Sequence, residues 1–542
     1  MLVLFAQDVA VETPEIAWSL LMPLVIMALG GIGLVTITSV VPRLRGDGFP
    51  AAFTAGVAVA AGGSLIPIWS RVTDLTLADS GPQLLVAGAM RADAFTVFVT
   101  GVIAASVFLA ALLLNDYLVR EDLDGPEWYV LLLMSASGGI ILASAEDLIV
   151  TFVGLEILSI AVYVLASMHL RKVDSQEAGI KYFMLGALSS ALFLYGIALI
   201  YGATGSTSLT GIAAVSQNDP VSGPILNPAG LTPLEDSSMI LVGMALLLVG
   251  FGFKVSAVPF HMWTPDVYEG SPTPVVAYMA SGVKVAGFAG MVRVLWIALG
   301  AYVSDWQPLI YALAILSLVV GSLLALAQSN VKRMLAYSSI THVGFMLVAV
   351  YSAASTGTDG IASLLFYLLA YTFMVGGTFG VATVMGRRGD SRHGLSDYEG
   401  LARKSPILAG MMSILLFSQA GVPFTSGFLA KFRVILAAAD SRAYALAGVA
   451  MLAAAVAAVL YLRIVVSMFL VNPVPVAHAA SDADLDEAAG EAVESDDDVI
   501  DVPPAAYLAI GLATIVTLIL GLAPFWGDTI LARAAEALTA AS

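Results

Sequence analysis

Long apolar stretches separated by short polar segments run along most of the chain. A helix that crosses the hydrocarbon core of a bilayer needs about 20 residues, and the pattern divides into about fourteen stretches of roughly that length. We therefore predict an all-α polytopic membrane protein. The predicted spans lie near 16–38, 50–69, 93–114, 127–144, 148–168, 179–201, 239–263, 273–298, 307–327, 333–352, 361–385, 406–436, 442–470 and 505–526.

Spans 7 and 12 each contain an interior proline, which a straight helix disfavours, in a similar short motif. Pro259 lies in the sequence AVPF and Pro423 in the sequence GVPF. Proline has no N–H and clashes with the carbonyl four residues earlier, so it frees the carbonyls of Val255 and Gln419. Unpaired backbone at membrane depth is tolerated only inside protein or beside water. We therefore predict broken helices next to an ion or proton path.

Five titratable residues fall near the middle of predicted spans: Glu156 in span 5, Lys254 in span 7, Lys284 in span 8, His342 in span 10 and Lys431 in span 12. A charge at the bilayer centre costs from about 3 to more than 10 kcal/mol, and such residues usually mark a pathway. We predict a proton-transfer file along the membrane midplane. The alternative is that some of these side chains only hold helices together.

The composition places the chain outside the range of soluble proteins, because 59% of it is apolar, 12% is charged and the mean hydropathy is +0.92. The chain has no cysteine, which excludes disulfides and thiolate-bound clusters. Neither a dinucleotide fingerprint nor a phosphate-binding loop occurs. We therefore expect no redox group, nucleotide or metal on this chain.

The loop charges are uneven. Thirteen of the 23 Lys and Arg residues fall in loops on one side and five on the other, which predicts that both termini lie outside the cytoplasm. Arg293, near the outer end of span 8, is interpreted as a snorkelling or helix-pairing residue.

Ten acidic residues and no basic ones occupy 481–501, so most of the net charge of −17 belongs to one predicted cytoplasmic loop.

The two proline breaks suggest an internal repeat. AVPF at 257–260 matches GVPF at 421–424, and 179–193 weakly matches 360–374. Each unit would contain five spans, spans 4–8 and 9–13, and an odd number means that the two copies are inverted in the membrane. The predicted domains are spans 1–3 (1–126), the first repeat (127–300), the second repeat (301–470), an acidic cytoplasmic loop (471–504), and span 14 with the C-terminal tail (505–542).

Three motifs together resemble a known family. VPFHMWTPDVYEGSPTPV begins at Val258, NVKRMLAYSSITHVG at Asn330 and GVPFTSGFLAKF at Gly421. Their joint occurrence resembles the antiporter-like membrane subunits of respiratory complex I, over about residues 130–470. The sequence motif TPDVYEGSPTPV and the lysine at position 431 are most similar to the N-type members of that family.

The resemblance implies a fourteen-helix fold with inverted five-helix repeats and broken helices 7 and 12. It also implies a proton channel in which Glu156 pairs with Lys254 and connects through Lys284 and His342 to Lys431. NADH, FMN, iron–sulfur clusters and quinone would then belong to partner subunits. The implied partners are the antiporter-like M-type and small K- and J-type subunits of the same membrane arm, in a bacterial cell membrane.

The predicted function is proton translocation coupled to quinone reduction elsewhere in a NADH:quinone oxidoreductase. A subunit of a multi-subunit sodium/proton antiporter or of a membrane-bound hydrogenase is the first alternative, since these share the scaffold. A self-contained solute transporter would need a pocket with varied polar groups, whereas the buried polar set here is mostly titratable. A purely structural assembly subunit is the last alternative.

Overall fold

The computed structural model describes residues 16–46, 48–74, 81–123, 125–216, 238–470, 500, 502–523 and 527–540. Within these ranges the chain is almost entirely helical. Thirteen helices there are long and apolar enough to cross a membrane. The chain is therefore a multi-pass membrane protein, as the apolar pattern predicts.

The helices before the first break are α1 (Trp18–Val40), α2 (Phe49–Thr73), α3 (Ala94–Glu121), α4 (Glu127–Ser144), α5 (Leu148–Ser167), α6 (Val173–Thr204), the short α7 (Leu209–Ser216) and α8 (Ser238–Val255). Side-chain caps fix two of their starts, because Asp93 accepts from the Thr96 N–H and Asp147 from the Ile149 N–H. A two-stranded antiparallel hairpin, β1 (Gln83–Leu85) and β2 (Met90–Ala92), pairs Gln83 with Ala92 between α2 and α3.

The remaining helices are α9 (Trp263–Gly270), α10 (Thr273–Ala298), α11 (Val303–Leu326), α12 (Val331–Thr356), α13 (Thr358–Met385), α14 (Pro406–Ala420), α15 (Ser426–Asp440), α16 (Tyr444–Leu470), α17 (Pro504–Leu522) and α18 (Asp528–Thr539). Short 3₁₀ turns occupy Pro42–Arg45, Gly300–Tyr302 and Leu395–Tyr398, and a one-turn helix occupies Leu401–Lys404. α10 contains π turns at Met279–Val283 and Val294–Ala298.

Both predicted breaks are present. Span 7 is α8 followed by the non-helical segment 256–262 and then α9, and span 12 is α14 followed by 421–425 and then α15. α14 ends at Ala420, and the next residue, Gly421, has a left-handed φ of 91°, as is typical of a residue that terminates a helix. The two halves of span 12 are each too short to count among the thirteen long helices, so the broken span accounts for the fourteenth predicted crossing.

The centre of the molecule is formed by α10, α12 and α13, which are almost wholly buried. α1, α6, α11 and α16 present many exposed apolar side chains and lie at the periphery. The predicted loop 471–504 falls almost entirely outside the described residues.

Candidate functional site

Lys254, near the end of α8, is 2% exposed and reaches across to α5. Its Nζ donates to Ser159 Oγ at 2.8 Å. The rings of Tyr163 and Tyr182 have their centroids 5.8 and 5.9 Å from the same nitrogen. A hydroxyl acceptor and two aromatic faces suit an ammonium group in a protein interior.

Glu156 lies three residues before Ser159 on α5, so the two side chains share a helix face. Its carboxylate accepts a hydrogen bond from Ser190 on α6. Lys254 donates to Ser159 and not to this carboxylate, so the predicted pair shares a helix face beside Ser159 but not a direct hydrogen bond. Glu156 is also only half-buried, although it was predicted to lie near the middle of span 5.

Lys284 is 1% exposed and follows directly after the π turn Met279–Val283. Such turns occur frequently at functional sites. Its Nζ donates to Ser339 Oγ on α12 at 2.5 Å, and Tyr371 on α13 donates to the same oxygen at 2.7 Å. The Tyr268 ring lies 5.8 Å from the nitrogen. Lys284 is therefore bonded to the helix that carries His342.

His342 is 1% exposed and is held by two tyrosines from different helices. Its Nδ1 lies 2.7 Å from the Tyr367 hydroxyl on α13, and its Nε2 lies 3.1 Å from the Tyr461 hydroxyl on α16. The Tyr461 hydroxyl is also 2.5 Å from Ser338 Oγ. The imidazole ring lies 4.9 Å, between ring centroids, from Tyr371. Tyr371 thus contacts both His342 and the serine that binds Lys284.

Lys431, on α15, is 5% exposed and turns back toward the break that precedes it. Its Nζ donates to the carbonyls of Gln419 and Ala420, at 2.7 and 3.0 Å. The Gln419 carbonyl is the one that the break was predicted to free. The Phe345 ring, 5.1 Å from the nitrogen, lies on the side toward α12.

The five predicted site residues therefore lie on helices of one core, and each of the three lysines donates to an uncharged oxygen beside an aromatic ring. Hydroxyls and imidazole can both donate and accept, so they can pass protons, whereas backbone carbonyls only accept. The arrangement can hold protons on the lysines and pass them between hydroxyl-bearing helices. In the described part of the chain, no group of three or more His, Asp or Glu side chains is arranged to hold a metal ion.

A family model described as NADH:quinone oxidoreductase/Mrp antiporter, transmembrane, matches residues 145–457. The chain belongs to this NADH:quinone oxidoreductase/Mrp antiporter family. A relative in Trichlorobacter lovleyi, named NADH-quinone oxidoreductase subunit N, is 40% identical over 451 residues, which cover 83% of this chain and 87% of the relative. One in Streptomyces griseus, named NADH-quinone oxidoreductase subunit N 3, is 37% identical over 547 residues, covering 94% and 92%.

Solved structures of the family share the fold. A chain of respiratory complex I from Thermus thermophilus with bound aureothin matches with a TM-score of 0.73 and 32% identity, covering 94% of this chain and 100% of that one. A chain of the Mrp complex from Dietzia sp. matches with a TM-score of 0.79. It is only 22% identical, so it shows the common fold of the family and nothing about activity.

The sequence did not identify most of the groups that hold the lysines and His342. Ser159, Tyr367, Tyr371 and Tyr461 are single serines and tyrosines on apolar helices. Only the polar run that includes His342 gave a signal, and Ser338 and Ser339 in that run do contact the network. The other partners come from helices that are distant in sequence.

Arg293, which was predicted either to snorkel or to pair helices, pairs helices. It is 1% exposed, so it does not snorkel, and its Nη2 contacts both Asp93 carboxylate oxygens at 3.0 and 2.8 Å. Its Nε donates to the Ala143 carbonyl at 2.8 Å. The helix-pairing interpretation is therefore correct, since the side chain joins α10 to α3 and α4. Buried carboxylates also lie at helix ends, at Glu121 and Glu146.

Proposed function

We propose that the chain is a proton-translocating subunit in the membrane arm of an NADH:quinone oxidoreductase. It carries no redox centre and moves protons while quinone is reduced elsewhere in the complex. Family membership and the match of 32% identity to a complex I chain support the assignment. The likeness to the Mrp complex is one of fold, so no specific observation favours a sodium/proton antiporter over this function.

The observation that carries the proposal is the succession of buried lysines, each bonded to a neutral acceptor. Lys254, Lys284 and Lys431 are at most 5% exposed, and among the described residues none of the three has a carboxylate as its hydrogen-bond partner. A lysine without a fixed counter-ion can lose and regain its proton when a nearby charge changes. We assign proton transfer to these lysines together with Glu156 and His342.

Glu156 is the group in the proposed file that a neighbouring subunit could influence. It is half-buried in the isolated chain, and exposed apolar residues such as Ile160 and Leu188 flank it on α5 and α6. A carboxylate facing lipid at this depth is unfavourable, so we assign this face to contact with another membrane subunit. The proposed partners are M-type and small K- and J-type subunits. In this proposal NADH, FMN, iron–sulfur clusters and quinone are bound by partner subunits.

The proposed location is the bacterial cell membrane, with both termini outside the cytoplasm. This orientation follows from the excess of Lys and Arg in the loops on the side of the membrane opposite the termini. The end of the bundle at those basic loops is called the inner end below. We also propose the two inverted five-span repeats, 127–300 and 301–470. The broken span is the fourth span of each unit, which supports that division.

The test is proton pumping by inverted membrane vesicles energised with NADH. We expect Lys254→Ala and Lys431→Ala to reduce both pumping and coupled quinone reduction strongly, because each removes one proton-carrying amine. Assembly of the complex is checked in parallel by native electrophoresis.

The matched control is Lys404→Ala, which removes a lysine from the one-turn helix outside the spans and should leave pumping unchanged. If the two buried-lysine variants assemble and still pump like the wild type, the lysines are structural and the proposed function is wrong.

A further inference from the structure

A second cluster of buried titratable side chains lies at the inner end of the bundle, away from the lysine file. Its centre is the loop 386–394 between α13 and the next 3₁₀ turn, where Asp390 is 1% exposed and His393 is 3% exposed. Backbone bonds attach this loop to the start of α12, since the Val331 N–H donates to the His393 carbonyl at 2.7 Å. The Leu395 N–H likewise donates to the Ser329 carbonyl at 2.9 Å. The loop is therefore held in a fixed position.

Asp390 is the anion of this cluster. Its carboxylate accepts from Thr273 Oγ1 at 2.8 Å and lies 2.8 Å from His393 Nε2 and 3.5 Å from Lys332 Nζ. Lys172 Nζ donates to the Asp390 backbone carbonyl at 2.6 Å. Burial alone would raise the pKa of Asp390, but Lys332, His393 and Lys172 outweigh burial and hold the pKa well below its usual range. Asp390 is thus a carboxylate at all physiological pH values.

The ionised carboxylate determines the state of His393. An ionised carboxylate only accepts hydrogen bonds, so Nε2 carries the hydrogen and Nδ1 carries the lone pair. Nδ1 is buried and has no protein partner among the described residues. Burial lowers the pKa of His393; its contact with Asp390 opposes the shift, and Lys332 and Lys172 add to it. The ring is therefore a neutral base near pH 7, with its lone pair free to accept a proton.

The cluster lies directly behind a polar pocket that opens at the inner end. This pocket, about 240 Å³ in volume, is lined by charged residues that include Lys181, Asp266 and Arg333. Its wall residues Gly270 and Arg333 are adjacent in sequence to Ser271 and Lys332. Lys332 donates to the Ser271 carbonyl at 2.7 Å, so the two wall segments of the pocket are bonded to each other at the buried cluster.

On its other side the cluster continues toward Lys284 along α9. The Ser271 and Thr264 hydroxyls are buried and have no protein partner within the described ranges. A buried hydroxyl without a partner costs about 1–3 kcal/mol, so such groups favour water as a neighbour. Tyr268, between them in sequence, places its ring 5.8 Å from Lys284 Nζ. The segment 264–271 therefore connects the cluster to the first half of the lysine file.

We propose that His393 is a proton-loading group at the inner end of the path, oriented by Asp390, and that it supplies protons to Lys284. The lone pair of Nδ1 takes a proton from water at the inner face, which gives an imidazolium beside the Asp390 carboxylate. An N–H bond of the imidazolium then breaks, and the proton passes along hydroxyls and water to the unprotonated amine of Lys284. The ring returns to its neutral form. This inference rests on the proposed function.

The decisive variant is His393→Gln, which keeps an amide donor toward Asp390 but cannot titrate. In inverted vesicles the inner face meets the medium, so its pH can be set directly. We expect NADH-driven pumping close to wild type at about pH 6, where protons are abundant, and several-fold lower at about pH 8, where a loading base matters most. A purely structural role would lower pumping by the same factor at every pH.

Chemical rescue separates the two roles further. Imidazole in the medium should restore much of the pumping of His393→Ala at about pH 8, because its own base can carry the proton. Pyrazole has the same shape but is not protonated near neutral pH, so it should not restore pumping. Equal rescue by both compounds would mean that the ring only fills space.

The matched control is His261→Gln. His261 is the half-buried histidine of the first break, without a carboxylate partner among the described contacts, and its loss should not change the pH profile. Asp390→Asn is the second variant and should lower pumping at high pH in the same direction. If His393→Gln and Asp390→Asn keep the wild-type profile while Lys254→Ala abolishes pumping, this inference is wrong and the proposed function stands.

Discussion

The two broken spans differ in how they hold their lysines. In the first, Lys254 precedes the break and donates to Ser159 on another helix, next to the half-buried Glu156. In the second, Lys431 follows the break and donates to the carbonyls of Gln419 and Ala420, which the break itself leaves unpaired. The first lysine depends on a side-chain acceptor, and the second on backbone acceptors.

This difference bears on mechanism. The last carbonyls of a helix carry a partial negative charge that stabilises a cation. Lys431 lies against the end of α14 and thus has a constant acceptor for its ammonium form. Lys254 has one hydroxyl and two aromatic rings, so its preference for a proton can follow changes at Glu156. We infer that the charge at Glu156 controls the lysine of the first broken span, whereas the acceptors of the lysine in the second stay the same.

The largest expected effect comes from replacing either lysine by arginine. Arginine keeps the positive charge and the hydrogen bonds but does not lose its proton in proteins. We expect Lys254→Arg and Lys431→Arg each to abolish NADH-driven pumping in inverted vesicles almost completely, although the complex assembles. Both halves would then need a group that releases its proton.

The control is Lys404→Arg, outside the spans, which should pump normally. Wild-type pumping by Lys431→Arg but not by Lys254→Arg would limit proton exchange to the first half. Only Lys254 would then have to release its proton during pumping.

Much of the fold could be predicted from the sequence. Span number follows from the length of apolar runs. Both breaks coincide with prolines that remove a backbone donor, although α1 and α2 continue as helices through Pro23 and Pro67. The predicted family is confirmed by the family model and by the relatives. The exact ends of helices were less predictable. A helix can continue after its apolar segment has ended, and α3 extends to Glu121, seven residues past the predicted span.

The site could be predicted only in part. A charge inside an apolar run is visible in the sequence, so the lysines and His342 were identified. Their partners were not, because the period of one helix indicates a face but not which helix packs there. Ser159 lies 95 positions before Lys254, and Tyr461 lies 119 positions after His342. Arg293 was assigned a snorkelling alternative for the same reason, since its partner Asp93 is 200 positions away.

An intermediate effect is expected from Glu156→Gln, which removes the charge that we assign to the control of Lys254. We expect pumping to fall by less than in the lysine variants. In a double-mutant cycle, Glu156→Gln and Lys254→Ala should be non-additive, since residues of one network typically couple by about 0.5–3 kcal/mol. The measurement is the residual rate of NADH-driven quinone reduction in each of the four assembled complexes.

The comparison cycle pairs Glu156→Gln with Lys431→Ala, which should be additive because the carbonyl acceptors of Lys431 are in the other broken span. Equal coupling of Glu156 to both lysines would contradict a local switch in the first half.

The smallest expected effect concerns the backbone of the breaks. Both contain a left-handed residue at the start, Ser256 with φ of 68° and Gly421 with φ of 91°. A side chain in that conformation costs about 1–2 kcal/mol, and a Cβ at position 421 would lie only 3.1 Å from Lys431 Cδ. We therefore expect Gly421→Ala to lower the temperature of half-inactivation of the purified complex slightly, and Ser256→Gly to leave it unchanged or raise it.

Gly410→Ala is the matched control, because Gly410 lies inside α14 with open space around its Cα. Alanine is favoured over glycine in a helix interior by about 1 kcal/mol, so this variant should stabilise the complex. If Gly421→Ala were as stable as Gly410→Ala, the left-handed turn would not be what ends α14. The carbonyls of Gln419 and Ala420 would then have to be held in place by Lys431 itself, which would make the second break as dependent on its lysine as the first is on Ser159.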